Sequence, residues 1–410
     1  MFGDTLGGAK GRMCRQVAIL SGYLTQVIRQ GWRQERFNMA VVEQSYPIGE
    51  KRVFQRASFT GSAKEYFGIW IVNVLLTIVT AGIYSAWAKV RRNRYFYGNT
   101  ALLGHTFEYH AKGKQIFIGR LIVFGFLIAT QIVTAAAPLA ALIVTPLLIL
   151  AFPWFLMRGL RFNARVTSYR NVRFDFVGTY GGAFKAIFLG GLVTIISVGI
   201  LTPIAARWFY KYVFDNLRYG DRPFSTEPTL GAFYKALFVT IAVALLGVIV
   251  LAGLAFAISG ASPDAAMSGS MGAVSVWHWA VVGFIIIYAI AGLFYRAMLR
   301  NIVWSATTID RRHNLLSDLG RRRYAWIAIS NVIVTFATLG LMRPWAAVRL
   351  QRYLAEHTAI HVDGDIGVVI DQVRSSGSAI SAEYLDVDGF DFGLMILRIV
   401  GEFLTLSISG

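Results

Sequence analysis

Charge is scarce in this 410-residue chain, where Asp, Glu, Lys and Arg together make up 15% of the residues. Soluble domains carry about 25%. With 56% hydrophobic residues and a mean hydropathy of +0.54, the shortage excludes a series of soluble domains and points to a bilayer as solvent. Cysteine is almost absent: the single Cys14 excludes an intrachain disulfide framework. No GxxxxGK[ST] loop, HExxH or CxxC occurs, so the usual phosphate, zinc and redox signatures are missing. The Gly-Gly pairs at 181–182 and 190–191 have no strand–loop–helix context and suggest close helix packing. No catalytic residue, cofactor or metal is expected, and no secretory signal peptide is readable.

Long uncharged runs stand in place of these motifs. Residues Leu121–Met157, Ala236–Pro263 and Ala265–Tyr295 contain no Asp, Glu, Lys or Arg, and neither do the shorter Tyr66–Ala88, Ala186–Ala206 and Tyr324–Met342. A spanning helix needs roughly 20 apolar residues. The first run therefore predicts a transmembrane hairpin broken near Pro138. The next two predict a second hairpin, joined through ISGASPDAAMSGSMG. Gln131 and Thr134 are polar residues suited to helix–helix hydrogen bonding. The absence of charge within these helices argues against a charge-relay pump.

The three shorter runs lead into segments that align without gaps: TAGIYSAWAKVRRNRY from Thr80, SVGILTPIAARWFYKY from Ser197 and TLGLMRPWAAVRLQRY from Thr338. Each carries a glycine two residues after its Thr or Ser, and each ends in a base and a tyrosine: Arg94–Tyr95, Lys211–Tyr212 and Arg352–Tyr353. Such self-similarity predicts an internal repeat. A fainter pattern places Thr100 seven residues before Phe107, Thr167 before Phe174, Leu217 before Phe224 and Thr308 before Leu315, with a poorer copy from Thr358. Its β-formers flank central Gly, Asn or Asp residues, as in short hairpins. The expected fold class is an all-α polytopic membrane protein. It has two transmembrane helical hairpins, three repeated Gly/Pro-broken apolar elements, and short β-like cytoplasmic units.

The string EYFGIWIVNVLLTIVTAGIYSAWAKVRRNRYFYGNT at 65–100 resembles the opening of the YjgN-like family. GRLI at 119–122, NARVTSYRNVRFDF at 163–176 and PWAAVRLQRY at 344–353 resemble the same family. The likeness runs from about Phe59 to about Phe392, and it implies a multi-pass bacterial inner-membrane protein with no assigned activity and no catalytic residues to carry over. The second repeat departs from the others, with Ile204 where Trp87 and Trp345 stand, which marks it for a different role.

Charge placement divides the chain into an N-terminal extension at 1–58 (of which 1–38 reads as mobile or as a wrongly assigned start), a membrane domain at 59–355, and an acidic tail at 356–410. That tail holds nine acids against Arg374 and Arg398, in a chain of net charge +18. Lys and Arg collect on the cytoplasmic side of spanning helices. The hairpin tips at 131–157 and 254–278 contain neither and are expected in the periplasm, with both chain termini in the cytoplasm. Bases at 89–120, 158–185, 207–235 and 296–323 then share one side only if the three single elements enter and leave on that side; the alternative is seven full spans, for which these elements are long enough. These bases flank apolar runs, so anionic membrane lipid is the expected partner and nucleic acid is not. The acidic tail leaves room for an unidentified cytoplasmic protein.

The candidate site centres on the three breaks. Gly82, Gly199 and Gly340 end apolar runs, Pro203 and Pro344 follow four residues later, Trp87 and Trp345 flank the turn, and Arg94, Lys211 and Arg352 stand at its mouth. Proline removes a backbone donor and glycine permits a sharp turn. Freed carbonyls at such breaks bind polar groups in transporters, whereas a plain helix stop at the membrane surface uses the same residues. His357, His361, Asp363 and Asp365 would share one face of an extended strand, as a weak metal-ligand pattern or a solvated polar strand. The functional expectation is a carrier or binder of a lipid-like or small amphiphilic molecule. The alternative is a membrane-anchored protein that docks a cytoplasmic partner.

Overall fold

The computed structural model describes residues 54–258 and 271–364. The expected extension over 1–38 and most of the acidic tail, with Asp365, lie outside the described residues. So does most of the linker expected in the second hairpin.

The described chain repeats one pattern: a helix, a short β-hairpin, then the next helix. Strands β1 (Gln55–Arg56) and β2 (Ser58–Phe59) lead into α1 (Ala63–Val79) and α2 (Ser85–Gly98). Strands β3 (Thr100–Leu102) and β4 (His105–Tyr109) lead into α3 (Gly113–Ala136) and α4 (Ala141–Arg165). Strands β5 (Thr167–Tyr169) and β6 (Val172–Phe176) precede α5 (Tyr180–Ile196) and α6 (Thr202–Asp215). Strands β7 (Leu217–Tyr219) and β8 (Arg222–Thr226) precede α7 (Leu230–Ile258) and α8 (Met271–Ser305). Strands β9 (Thr307–Ile309) and β10 (His313–Ser317) precede α9 (Arg321–Ala337), α10 (Arg343–Glu356) and β11 (Thr358–His361).

The strands correct the all-α expectation. All eleven belong to one antiparallel sheet ordered β1-β11-β10-β9-β8-β7-β6-β5-β4-β3-β2. Its two end strands are separated in sequence only by Ala57, so the sheet nearly closes on itself like a barrel. Gln55 and Arg56 pair with Ile360 and Ala359, whereas Ser58 and Phe59 pair with Ala101 and Thr100. Ala57 donates its backbone N–H to the Thr358 carbonyl at 2.8 Å. The ring therefore consists of four continuous hairpins and a fifth assembled from the first and last described strands. Closure removes the free edges that an open sheet would present. Strands of two to five residues show too little alternation to be read as a sheet, and their pairing is long-range, which is why the sequence suggests only local β-like units.

Turn chemistry sets the hairpins. Arg170 and Asn171 both adopt positive φ, 50° and 64°, as a two-residue hairpin turn of the primed type requires. The fourth hairpin has a longer turn, with Asp310 and Arg311 at φ 52° and 55°. Thr226 pairs with Thr307 there, so the residue matching Thr100 and Thr167 is Thr307, not Thr308. Apolar residues from every hairpin meet in one cluster that includes Leu102, Phe174, Leu217, Phe224, Leu315 and Ile360. Its ring contacts include Phe174–Tyr219 at 5.1 Å and Phe174–Phe224 at 6.4 Å. The Tyr219 hydroxyl donates to the Tyr169 carbonyl across neighbouring hairpins at 2.9 Å.

Among the described residues, four helices are long and apolar enough to cross a membrane: 113–136, 138–165, 230–254 and 281–305. They form two hairpins, the first turning through a single tight helical turn at Pro138–Ala140. The other three apolar elements are helical pairs, α1–α2, α5–α6 and α9–α10. Each pair starts from one ring strand and returns to the strand paired with it, as β2 and β3 show. Both ends of each element therefore lie at the same ring.

Candidate functional site

The three turns are built alike. At the first, Ala81 and Gly82 have φ 48° and 91°; the second has Val198 at 51° and Gly199 at 88°; the third has Leu339 at 50° and Gly340 at 91°. In each, the glycine N–H reaches back five residues, to Thr77, Thr194 or Thr335, at 2.7–2.8 Å. The Thr or Ser hydroxyl two residues before the glycine accepts from a backbone N–H four residues on: Thr80 from Tyr84 at 2.9 Å, Ser197 from Leu201 at 3.0 Å and Thr338 from Met342 at 3.1 Å. Several groups that a helix break exposes are thus satisfied within the turn, in the manner of a helix C-cap. Pro203 and Pro344 occupy the first turns of the descending helices, where a missing N–H costs nothing.

The bases expected at the mouth lie at the other end of the arms, against the ring. Each reaches forward to the chain leaving the next hairpin. Arg94 donates to the Tyr109 and Ala111 carbonyls at 3.4 and 3.3 Å. Lys211 donates to the Thr226 carbonyl at 2.9 Å, and Arg352 to the Gly61 carbonyl at 3.1 Å. Two residues that the sequence reading missed do the same. Arg161 reaches the Phe176 and Gly178 carbonyls, both at 3.0 Å, and Asn301 reaches the Leu319 carbonyl at 2.9 Å. All five stand six residues before the first strand of a hairpin, which is the spacing that would have found them.

The tyrosine beside each base closes its own element. Tyr95 donates to the Ser62 carbonyl at 2.8 Å, Tyr212 to the Thr179 carbonyl at 3.0 Å, and Tyr353 to the Gly320 carbonyl at 3.2 Å. Burial pushes the Tyr95 hydroxyl up to about 12. Burial opposes the charge of Lys211, but hydrogen bonds to Glu227 and Asp215 carry its pKa above the ordinary lysine value.

The ten candidate residues thus form three similar elements rather than one pocket. Trp87 packs on Phe117 at 5.7 Å, and Trp345 carries the Arg349 guanidinium over its ring at 5.1 Å. His357 lies tilted against Tyr353 with ring centroids 4.2 Å apart, and the Asp363 backbone N–H donates to His313 at 3.1 Å. No group of three or more His, Cys, Asp or Glu side chains able to hold a metal occurs among the described residues.

Ring closure also carries a charge pair. Arg56 holds Asp318 through two hydrogen bonds of 3.0 and 2.6 Å and donates to the Glu356 carbonyl at 2.8 Å. Burial opposes ionisation of Asp318, but the Arg56 hydrogen bonds win and hold its carboxyl below the ordinary aspartate value. A carboxyl depressed in the folded state stabilises above its unfolded pKa of about 3.9, and that contribution fades as pH falls through the folded value. Asp318→Asn is therefore expected to lower stability at neutral pH by less than about 1 kcal/mol, because both partners are partly exposed. It should also flatten the stability curve below about pH 4. Thermal melts of both proteins from pH 3 to 7 check this, and parallel curves would show that the pair contributes nothing.

Residues 54–387 match the family model described as "Bacterial protein of unknown function (DUF898)". Over 355 residues the chain is 25% identical to the inner membrane protein YjgN of Salmonella typhimurium, covering 75% of this chain and 88% of that protein. It is 35% identical over 150 residues to the inner membrane protein YjgN of Escherichia coli K12, covering 36% of this chain and 38% of that one. No solved structure matches the chain.

Proposed function

The chain belongs to this DUF898 family, and from that premise we propose that it is an inner-membrane protein that binds lipid of the cytoplasmic leaflet through three shallow helical wedges. The carrying observation is the exposure of apolar side chains at the turns: Leu339 is 95% exposed, Val198 89% and Phe336 85%. Such side chains belong in lipid, and each wedge begins and ends at the ring.

Length and charge bound the depth. A 17-residue arm such as α1 extends about 25 Å, less than the roughly 30 Å hydrocarbon core of a bilayer. Arg343 is exposed directly after Met342 at the third turn, and its guanidinium must reach headgroup level. The turns therefore end within the cytoplasmic leaflet, with Arg343 reaching back toward its headgroups. The basic clusters beside the ring favour a cytoplasmic position for it, and with it cytoplasmic chain termini, where bases near an anionic surface contribute about 1 kcal/mol each. We read the similar turns, bases and hairpins as descendants of one duplicated unit.

The reading has two readouts in a Cys14→Ser background. Single cysteines at Asn171 and Asp221, in neighbouring hairpin turns, should both label from the cytoplasmic side; labelling from opposite sides would break the ring. Nitroxides at Val198 and Leu339 should be accessible to oxygen and shielded from a water-soluble nickel complex. Nickel access equal to that at Asn171 would refute the wedges.

A further inference from the structure

We propose that the second wedge holds the acyl chain of one anionic glycerophospholipid in an apolar cleft between α5, α6 and α8. This rests on the reading that the wedges enter lipid, and it adds a defined site on the second of them.

Corresponding positions show how the cleft arises. Asn73 and Asn331 stand nine residues before Gly82 and Gly340, and Gly190 stands nine before Gly199. Both asparagines are buried and tie their arms together. Asn73 donates to the Ala88 carbonyl at 3.5 Å, and Asn331 donates to the Ala346 carbonyl at 3.0 Å. In the second wedge Gly190 has no side chain to make such a tie, and the arms meet there only by close packing, since a Cβ on Gly190 would lie 3.3 Å from Ala205. A π-helical turn at Lys185–Leu189 shifts the following residues around the helix, and such insertions recur at functional sites.

The result is a cleft of about 420 Å³ whose lining includes Gly190, Gly191, Ile195, Ala206, Phe209 and Tyr295. Its volume falls within the roughly 300–1,000 Å³ range of small-molecule sites. Its apolar wall continues into the exposed Ile195, Ile196 and Val198 of the turn, so it opens onto the same lipid that bathes the wedge. Tyr295 contributes the polar feature. Its hydroxyl is buried and has no hydrogen-bond partner among the described residues, an arrangement that costs free energy until a partner arrives.

Charge identifies the headgroup. Arg207 and Lys185 adjoin the lining residues Ala206 and Ala186. Lys185 lies over Trp208 at 5.6 Å. Arg207 donates to the Pro228 carbonyl at 3.0 Å, and its nearest carboxylate, Glu227 at 3.7 Å, is engaged by Lys211 at 2.7 Å. Tyr295 precedes Thr307 by twelve residues and Arg207 precedes Leu217 by ten, placing them about 18 and 15 Å along their helices from the ring. Tyr295 and Arg207 thus leave their helices at similar levels, with the Arg207 guanidinium turned toward the ring side of the cleft. A phosphate fits the bases, a glycerol ester carbonyl fits Tyr295, and the acyl chain fills the cleft.

Photo-crosslinking of the full chain tests this, in nanodiscs of phosphatidylethanolamine and phosphatidylglycerol. The probe is phosphatidylglycerol with a mid-chain diazirine, and adducts are mapped by mass spectrometry. Adducts should concentrate several-fold on 186–209 over the corresponding parts of the other two wedges. A Cβ on Gly191 meets nothing within 4 Å, so Gly191→Leu should fill the cleft, keep the fold and abolish the excess. Tyr295→Phe, which keeps the ring and removes only the hydroxyl, should lower the excess about fivefold, the worth of one hydrogen bond. Equal labelling of all three wedges, or an excess that survives Gly191→Leu, overturns the cleft and leaves the wedges standing. An absence of adducts from every wedge overturns both.

Discussion

Ala57→Pro is expected to destabilise the protein by about 3 kcal/mol or more, although it alters one small residue in a stretch of five. Ala57 is buried, and its N–H bonds the Thr358 carbonyl at the point where the chain changes partner. Proline removes that donor, which a sheet interior does not tolerate. The loss acts on both sides, since Gln55 and Arg56 pair with β11 before it while Ser58 and Phe59 pair with β3 after it. Arg352, which reaches across the same junction to Gly61 at 3.1 Å, would lose the geometry of its acceptor. Thermal unfolding of purified protein in detergent, followed by tryptophan fluorescence, measures the effect. Gly68→Ala is the control: it lies in α1 with nothing near its would-be Cβ and should be neutral or gain up to about 1 kcal/mol. A loss below about 1 kcal/mol for Ala57→Pro would mean that ring closure contributes little to stability.

This junction also shows what a sequence read along its length leaves hidden. The transmembrane hairpins were legible because twenty apolar residues in a row have few other uses. The turns were legible because a positive φ next to an apolar run selects glycine, and Gly82, Gly199 and Gly340 recur in the same surroundings. The ring was not legible. Each strand is too short to show a period, and the pair that closes the ring joins Arg56 to Ala359, about three hundred residues apart. No local pattern reports such a contact. The longer turn of the fourth hairpin sets its strand spacing one residue off that of the others.

The roles of the candidate residues shifted for a related reason. Arg94, Lys211 and Arg352 were visible as conspicuous bases, but the carbonyls they hold belong to the next unit around the ring. A base at the end of an amphipathic helix looks the same whether it meets a headgroup or a backbone. Asn301 completes that set without charge and carried no signal of its own. The absence of an asparagine at Gly190 has meaning only beside the ties that Asn73 and Asn331 make in the other two elements.

Phe176→Ala should cost about 3–5 kcal/mol, the range for removing a fully buried aromatic ring. The side chain is 1% exposed, and its ring meets Tyr212 edge-on with centroids 5.6 Å apart. It packs so tightly that a Cβ on Gly178 would come within 2.4 Å of it. Its carbonyl accepts from Arg161, so the cavity would open where β6 leaves the ring for the second wedge. Collapse around the gap is limited, because the Tyr212 hydroxyl is fixed to the Thr179 carbonyl at 3.0 Å. The comparison that gives the result meaning is Val198→Ala, at the tip of the same wedge, where the side chain is 89% exposed. In water, both substitutions remove apolar surface from a hydrophobic residue. In a bilayer, Val198 has lipid around it in either state, and lipid tails are as apolar as the side chain they would replace. Its truncation should therefore change stability by less than about 0.5 kcal/mol. Unfolding of both variants in lipid nanodiscs reads the difference directly. A large loss for Val198→Ala would mean that this tip packs against protein, and the wedge would have to be redrawn as an interface.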